Sequence, residues 1–70
     1  MNTTERAQLE RFTASAKSID EFCAANRISR SMYYKLRSQG RAPREMKIGS
    51  RTIISNEAEF DWHRQMEAAA

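Results

Sequence analysis

Three helix-boundary signals spaced eleven residues apart, Ser18, Ser29 and Gly40, restrict the middle of this chain to two short helices joined by a tight turn. Ser18-Ile19-Asp20-Glu21 has capping-box spacing: the Ser18 hydroxyl can accept from the Glu21 backbone N–H while the Glu21 carboxylate accepts from the N–H of Ser18. A helix is therefore predicted from Ile19. Asp20 and Glu21 sit at the positive end of its dipole, and Ile19, Phe22, Cys23 and Ala24 share one apolar face. Asn26 and Arg27 break the pattern, and Asn tolerates the left-handed conformation that ends a helix. Ser29 is a second good N-cap, Arg30 to Gln39 contains neither Pro nor Gly, and Gly40 closes the second helix.

Two helices so joined have the form of a helix-turn-helix, whose second helix lies in a DNA major groove. At about 100° per residue, Ser29, Tyr33 and Leu36 fall together and, with Ile28, face the first helix, while Ser31, Tyr34, Lys35 and Ser38 fall opposite. Arg30 and Arg37 flank the inner stripe on one side and Met32 on the other. Tyr33 thus reads as core and Tyr34 as a contact residue.

After a loop around Pro43, Met46-Lys47-Ile48 and Thr52-Ile53-Ile54 are β-prone stretches separated by Gly49-Ser50-Arg51, which predicts a hairpin. Met46, Ile48 and Ile54 are expected inward, Lys47 outward, and Ser50 and Arg51 at the tip. Ser55 or Asn56 caps a last helix running to about Glu67, with Asn56-x-x-Glu59 as a second capping-box spacing. Ala58, Trp62 and Met66 line one face of it, and Phe60 projects elsewhere, to cover Leu9 and Phe12 or to meet another subunit. Residues 1–17 read as an N-terminal arm with a candidate short helix over Thr4 to Phe12, residues 18–67 as the folded domain, and 68–70 as a frayed tail.

The charges are segregated. Residues 27–51 hold eight Lys or Arg (Arg27, Arg30, Lys35, Arg37, Arg41, Arg44, Lys47, Arg51) against the single acid Glu45, a formal +7, whereas the rest of the chain sums to −4. Concentrated cations on a small domain point to a polyanion partner, most often nucleic acid. Seventy residues allow one small core worth a few kcal/mol and leave little room for an enclosed active site. The single Cys23 rules out an intrachain disulfide and reads as a small core residue, and the single His63 reads as a surface helix residue. Neither a paired-carboxylate cleft nor a nucleophile with its base is apparent, so no enzyme, metal, cofactor or small-molecule substrate is expected. No membrane span or signal-peptide core is apparent, so a cytoplasmic location is expected.

The order Ser18-Ile19-Asp20-Glu21-Phe22-Cys23, Ile28-Ser29-Arg30-Ser31-Met32-Tyr33-Tyr34, Gly40-Arg41-Ala42-Pro43, Lys47-Ile48-Gly49-Ser50-Arg51, Ile54-Ser55 and Trp62 is similar to that of the excisionases and AlpA-type prophage regulators, whose winged-helix domain is related to the MerR-type one. The resemblance implies a winged helix-turn-helix of three main helices and a two-stranded wing, which binds a specific double-stranded DNA site as transcriptional regulator or excision directionality factor. It also narrows the expected location to the bacterial cytoplasm and its nucleoid. It carries Arg30, Ser31, Tyr34 and Lys35 onto recognition-helix positions, and Lys47, Ser50 and Arg51 onto the wing, at the backbone or an adjacent minor groove. The family often has Gly where Arg27 stands, so either Asn26 supplies the left-handed residue or the turn differs.

Candidate DNA contacts are therefore Ser29, Arg30, Ser31, Tyr34, Lys35, Arg37 and Ser38 on the helix, and Arg41, Arg44, Lys47, Ser50 and Arg51 on the loop and wing. Arg and Lys donate to guanine O6 and N7, Ser to base edges or phosphate, Tyr to phosphate. Lys35 and Arg30 are the candidates for base reading. A module this small covers little DNA, which favours self-association on DNA or contact with an integrase or RNA polymerase through Phe60, the arm or the acids Glu57, Glu59, Asp61 and Glu67. The competing reading is a phage protein-interaction adaptor whose basic helix binds an acidic protein or a DNA-packaging partner.

Overall fold

The computed structural model describes residues 16–69, arranged as α1 (Ile19–Asn26), α2 (Arg30–Ser38), β1 (Met46–Ile48), β2 (Arg51–Ile53) and α3 (Asn56–Ala69). This is the winged helix-turn-helix architecture, three helices with an antiparallel two-stranded wing. The short helix expected over Thr4 to Phe12, and any cover that Leu9 and Phe12 give Phe60, lie outside the described residues.

The caps act as their sequences require. Ser18 Oγ accepts from Glu21 N at 3.1 Å while Ser18 N donates to Glu21 Oε1 at 2.9 Å, completing the capping box. Ser29 Oγ accepts from Met32 N at 3.0 Å and opens α2. Both helices end in a Schellman arrangement: Ile28 N donates to Cys23 O and Arg27 N to Ala24 O after α1, and Arg41 N to Leu36 O and Gly40 N to Arg37 O after α2. The left-handed residue is Gly40 in the second, at φ +70°, but Arg27 in the first, at φ +56°. Asn26 remains helical because its side chain is committed: Nδ2 donates to Phe22 O at 2.9 Å and to Glu59 Oε2 at 2.7 Å. An L-residue in this region costs about 1–2 kcal/mol of backbone energy.

Phe22, Tyr33 and Ile54 are completely or almost completely buried, with Cys23, Ala58 and Trp62 around them. Phe22 meets Tyr33 and Trp62 edge-on, with centroids 5.7 and 5.0 Å away. Edge-to-face pairs of this kind add about 0.5–1.5 kcal/mol to the burial of each ring. Trp62 Nε1 also donates to Arg41 O at 2.9 Å, anchoring the loop after α2. Ile19, Ile28, Leu36, Ala42 and Met66 close the edges of the core. Ala24 is exposed instead of joining the apolar face of α1, since one further step of about 100° beyond Cys23 carries it past the stripe.

The wing pairs Met46 with Ile53, Lys47 with Thr52 and Ile48 with Arg51 around a Gly49-Ser50 turn. Gly49 at φ +61° followed by a residue of ordinary φ has the φ signs of a type II′ turn. Its root is fastened by a bridge in which Lys17 N donates to Ile54 O at 2.8 Å and Ile54 N to Lys17 O at 2.7 Å, which draws Lys17 out of the arm and into the fold. Ile54 is core, whereas Ile48, expected inward, is 49% exposed. It shares the face of Met46 but borders an open cleft lined by Lys17, Ser18, Glu21, Arg51 and Ile53 instead of the packed core.

Ser55 caps α3, its Oγ accepting from Ala58 N at 3.0 Å. Glu59 does not complete a capping box but turns inward. The helix continues through Ala68 and Ala69, two residues of the expected frayed tail.

Candidate nucleic-acid interface

The outer face of α2 is built by its wheel. Tyr33 and Leu36 bury one side against α1 and α3, which leaves Ser31, Tyr34, Lys35 and Ser38 exposed on the other. Ser31 and Ser38 are small and lie at the centre of this face, with Tyr34 and Lys35 to either side. Ser38 Oγ donates to Lys35 O at 2.7 Å. No carboxylate belongs to α2.

Tyr34 is ordered by its neighbours. Its ring lies edge-on to Tyr33 at 5.5 Å, with the guanidinium carbons of Arg30 and Arg37 at 5.8 and 5.9 Å from its centroid. Arg30 in turn donates to Asp20 Oδ1 at 2.7 Å, an exposed pair that solvent screens and that opens easily. Arg37 Nη2 lies 3.0 Å from Glu45 Oε1, and the Tyr33 hydroxyl donates to the other oxygen of the same carboxylate. Burial and then the Glu45 hydrogen bond hold the Tyr33 phenol above its usual range.

On the loop and wing, Arg44 pairs with Asp61 at 2.8 Å, and Lys47 Nζ donates to Thr52 Oγ1 at 2.6 Å without being neutralised. Ser50 is exposed at the turn, beside Arg51. Among the described residues, Arg27, Lys35, Arg41, Lys47 and Arg51 have no carboxylate partner, whereas Arg30, Arg37 and Arg44 do. The candidates thus fall into two classes, one presented freely and one engaged by a specific acid.

Three features of the site were not anticipated from sequence. Arg27 takes the left-handed position, Glu45 ties the wing root to α2, and Glu59 is buried behind the basic face, accepting from Lys17 Nζ at 2.6 Å and Asn26 Nδ2 at 2.7 Å. A lone acid inside a basic segment is the one signal that marks Glu45 in advance.

Among the described residues, no three His, Cys, Asp or Glu are grouped to hold a metal ion, and no helix is long and apolar enough to cross a membrane. The chain matches no family model, and no curated protein or solved structure is significantly similar to it.

Proposed function

We propose that the protein binds a specific double-stranded DNA site, with α2 in the major groove and the wing on the backbone or an adjacent minor groove. The single observation that carries this reading is the acid-free outer face of α2, Ser31-Tyr34-Lys35-Ser38, continued by the cations Arg41, Lys47 and Arg51, none of which forms an ion pair among the described residues. Lys35 has the position and charge to read guanine O6 and N7, and Tyr34 and the serines can donate to base edges or phosphates. On this reading the protein works in the bacterial cytoplasm, without a catalytic step, as a prophage or mobile-element regulator or as an excision directionality factor of the kind its sequence resembles. Several copies on adjacent sites, or an integrase or polymerase partner, would supply the specificity that one module lacks.

The test is selection of bound duplexes from random DNA, followed by salt titration. With about six phosphate contacts, log K should fall against log salt with a slope of roughly −5. Lys35→Ala should change the selected sequence, while Arg51→Ala should weaken all sequences alike. Binding that ignores salt, or is seen only with an acidic protein, would favour the adaptor reading instead.

A further inference from the structure

We infer that Arg27 is a DNA-backbone contact, held at the turn between α1 and α2 so that its guanidinium can bind a phosphate beside the start of the recognition helix. This rests on the DNA-binding reading above. The two helices of the motif end in the same hydrogen-bonding pattern, and the described residues include three positions of positive φ. Two of these are Gly40 and Gly49, the only glycines of the chain. The third is an arginine in the same left-handed region, where a Cβ is unfavourable and glycine is the residue that the backbone geometry favours.

Among the described residues no hydrogen bond or ion pair holds the arginine side chain, and the helix dipole, which favours any cation after α1, does not single out a guanidinium. Two of the terminal carbonyls of α1, those of Cys23 and Ala24, already accept from the backbone N–H groups of Ile28 and Arg27. Asn26, a residue suited to the left-handed conformation, is used instead to join α1 to Glu59 of α3. The Arg27 side chain itself is exposed and has no hydrogen-bond or ion-pair partner among the described residues. It stands two residues before Ser29, the cap of α2, on the same basic segment as Lys35. A planar guanidinium presented there suits the oxygens of a phosphate, and a non-glycine residue in the left-handed region is an outlier of the kind that clusters at ligand-binding sites.

The test compares the parent protein with Arg27→Gly, Arg27→Asn and Arg27→Lys, using a random-sequence duplex, fluorescence anisotropy over a salt series, and urea unfolding. Gly and Asn both accept the left-handed backbone, so the Arg27→Gly and Arg27→Asn variants should match or exceed the urea midpoint of the parent. Both should bind roughly five- to tenfold more weakly at low salt, with a log–log slope shallower by about one, while Arg27→Lys keeps the parental slope. Selected sequences should not change. A parental slope in either Arg27→Gly or Arg27→Asn overturns the inference while leaving the DNA-binding reading intact. A lowered urea midpoint in Arg27→Gly also overturns it, because the arginine would then serve the fold. If the parent binds no duplex, both readings fall together.

Discussion

Glu59 and Glu45 each accept from two partners on other elements, yet one lies behind the basic face and the other within it. The Glu59 side chain, 9% exposed, takes Lys17 Nζ and Asn26 Nδ2, and so joins α3 to the end of α1 and to the residue that fastens the wing root. The Glu45 side chain, 13% exposed, takes Arg37 and the Tyr33 hydroxyl, and so joins the start of the wing to α2. Removing the first would loosen the scaffold. Removing the second would also release a cation onto the proposed DNA surface. Counting Lys and Arg in the sequence therefore overstates the charge that the free protein offers to a polyanion, because acids hold part of it in reserve.

The largest effect that separates the two carboxylates is on stability. Glu59→Ala is expected to lower the unfolding free energy by about 2–3 kcal/mol, less than for a fully buried pair because Lys17 is 29% exposed and can regain water. Urea unfolding checks this, and a loss below about 1 kcal/mol would mean that the hub is dispensable. Its pH dependence has a definite sign. Burial alone would raise the Glu59 carboxyl, but the hydrogen bonds from Lys17 and Asn26 outweigh it and hold the group below its ordinary value of 4.5. A depressed folded value contributes stability above 4.5 that is lost as pH falls from there through the folded value. Glu59→Gln should therefore unfold with a flatter acid limb than the parent.

A smaller change in stability and a clearer one in binding are expected at the other hub. Glu45→Ala leaves the buried Tyr33 hydroxyl without its acceptor, at a cost of about 1–2 kcal/mol. It also frees Arg37, so the log–log salt slope of duplex binding should steepen by about one. An unchanged slope would leave Arg37 outside the interface and make its pairing with Glu45 purely structural.

What the sequence discloses of this contrast follows from distance along the chain. Ser18, Ser29 and Gly40 act on backbone groups within a few residues of themselves, so the helix limits and the two-helix turn are legible. The wheel of α2 likewise identifies Tyr33 as buried and Tyr34 as exposed, because one helix decides both. Glu59 is not legible: Asn56-x-x-Glu59 has the spacing of a local cap, but Lys17, 42 residues away, takes the carboxylate instead. Strand alternation gives Ile48 its face, yet only the assembled helices determine how far along the wing the core extends. Asn26 and Arg27 show the same limit, since propensity assigns the left-handed residue to Asn until the contact of Asn26 with α3 is known. Which cations are engaged is equally a long-range matter, with Arg44 pairing with an acid 17 residues away.

The finest test concerns a third carboxylate, Asp20, which holds Arg30 at 2.7 Å in full view of solvent. Such a pair contributes little to folding, so Asp20→Ala should leave the urea midpoint close to that of the parent. Its effect on DNA binding decides between two roles. If Asp20 merely competes with DNA for Arg30, its removal frees a guanidinium and deletes a negative charge beside the recognition helix, and affinity should rise about two- to threefold at low salt, fading as screening increases. If Asp20 instead holds Arg30 and Tyr34 in the geometry that meets the bases, affinity falls and the selected sequence becomes less defined. The exposure of both partners favours the first outcome, because a pair open to water gives little rigidity to the side chain it holds. Glu45, shielded and doubly bonded, is the acid placed to act as a strut, whereas Asp20 holds its arginine where solvent and competing anions can reach it.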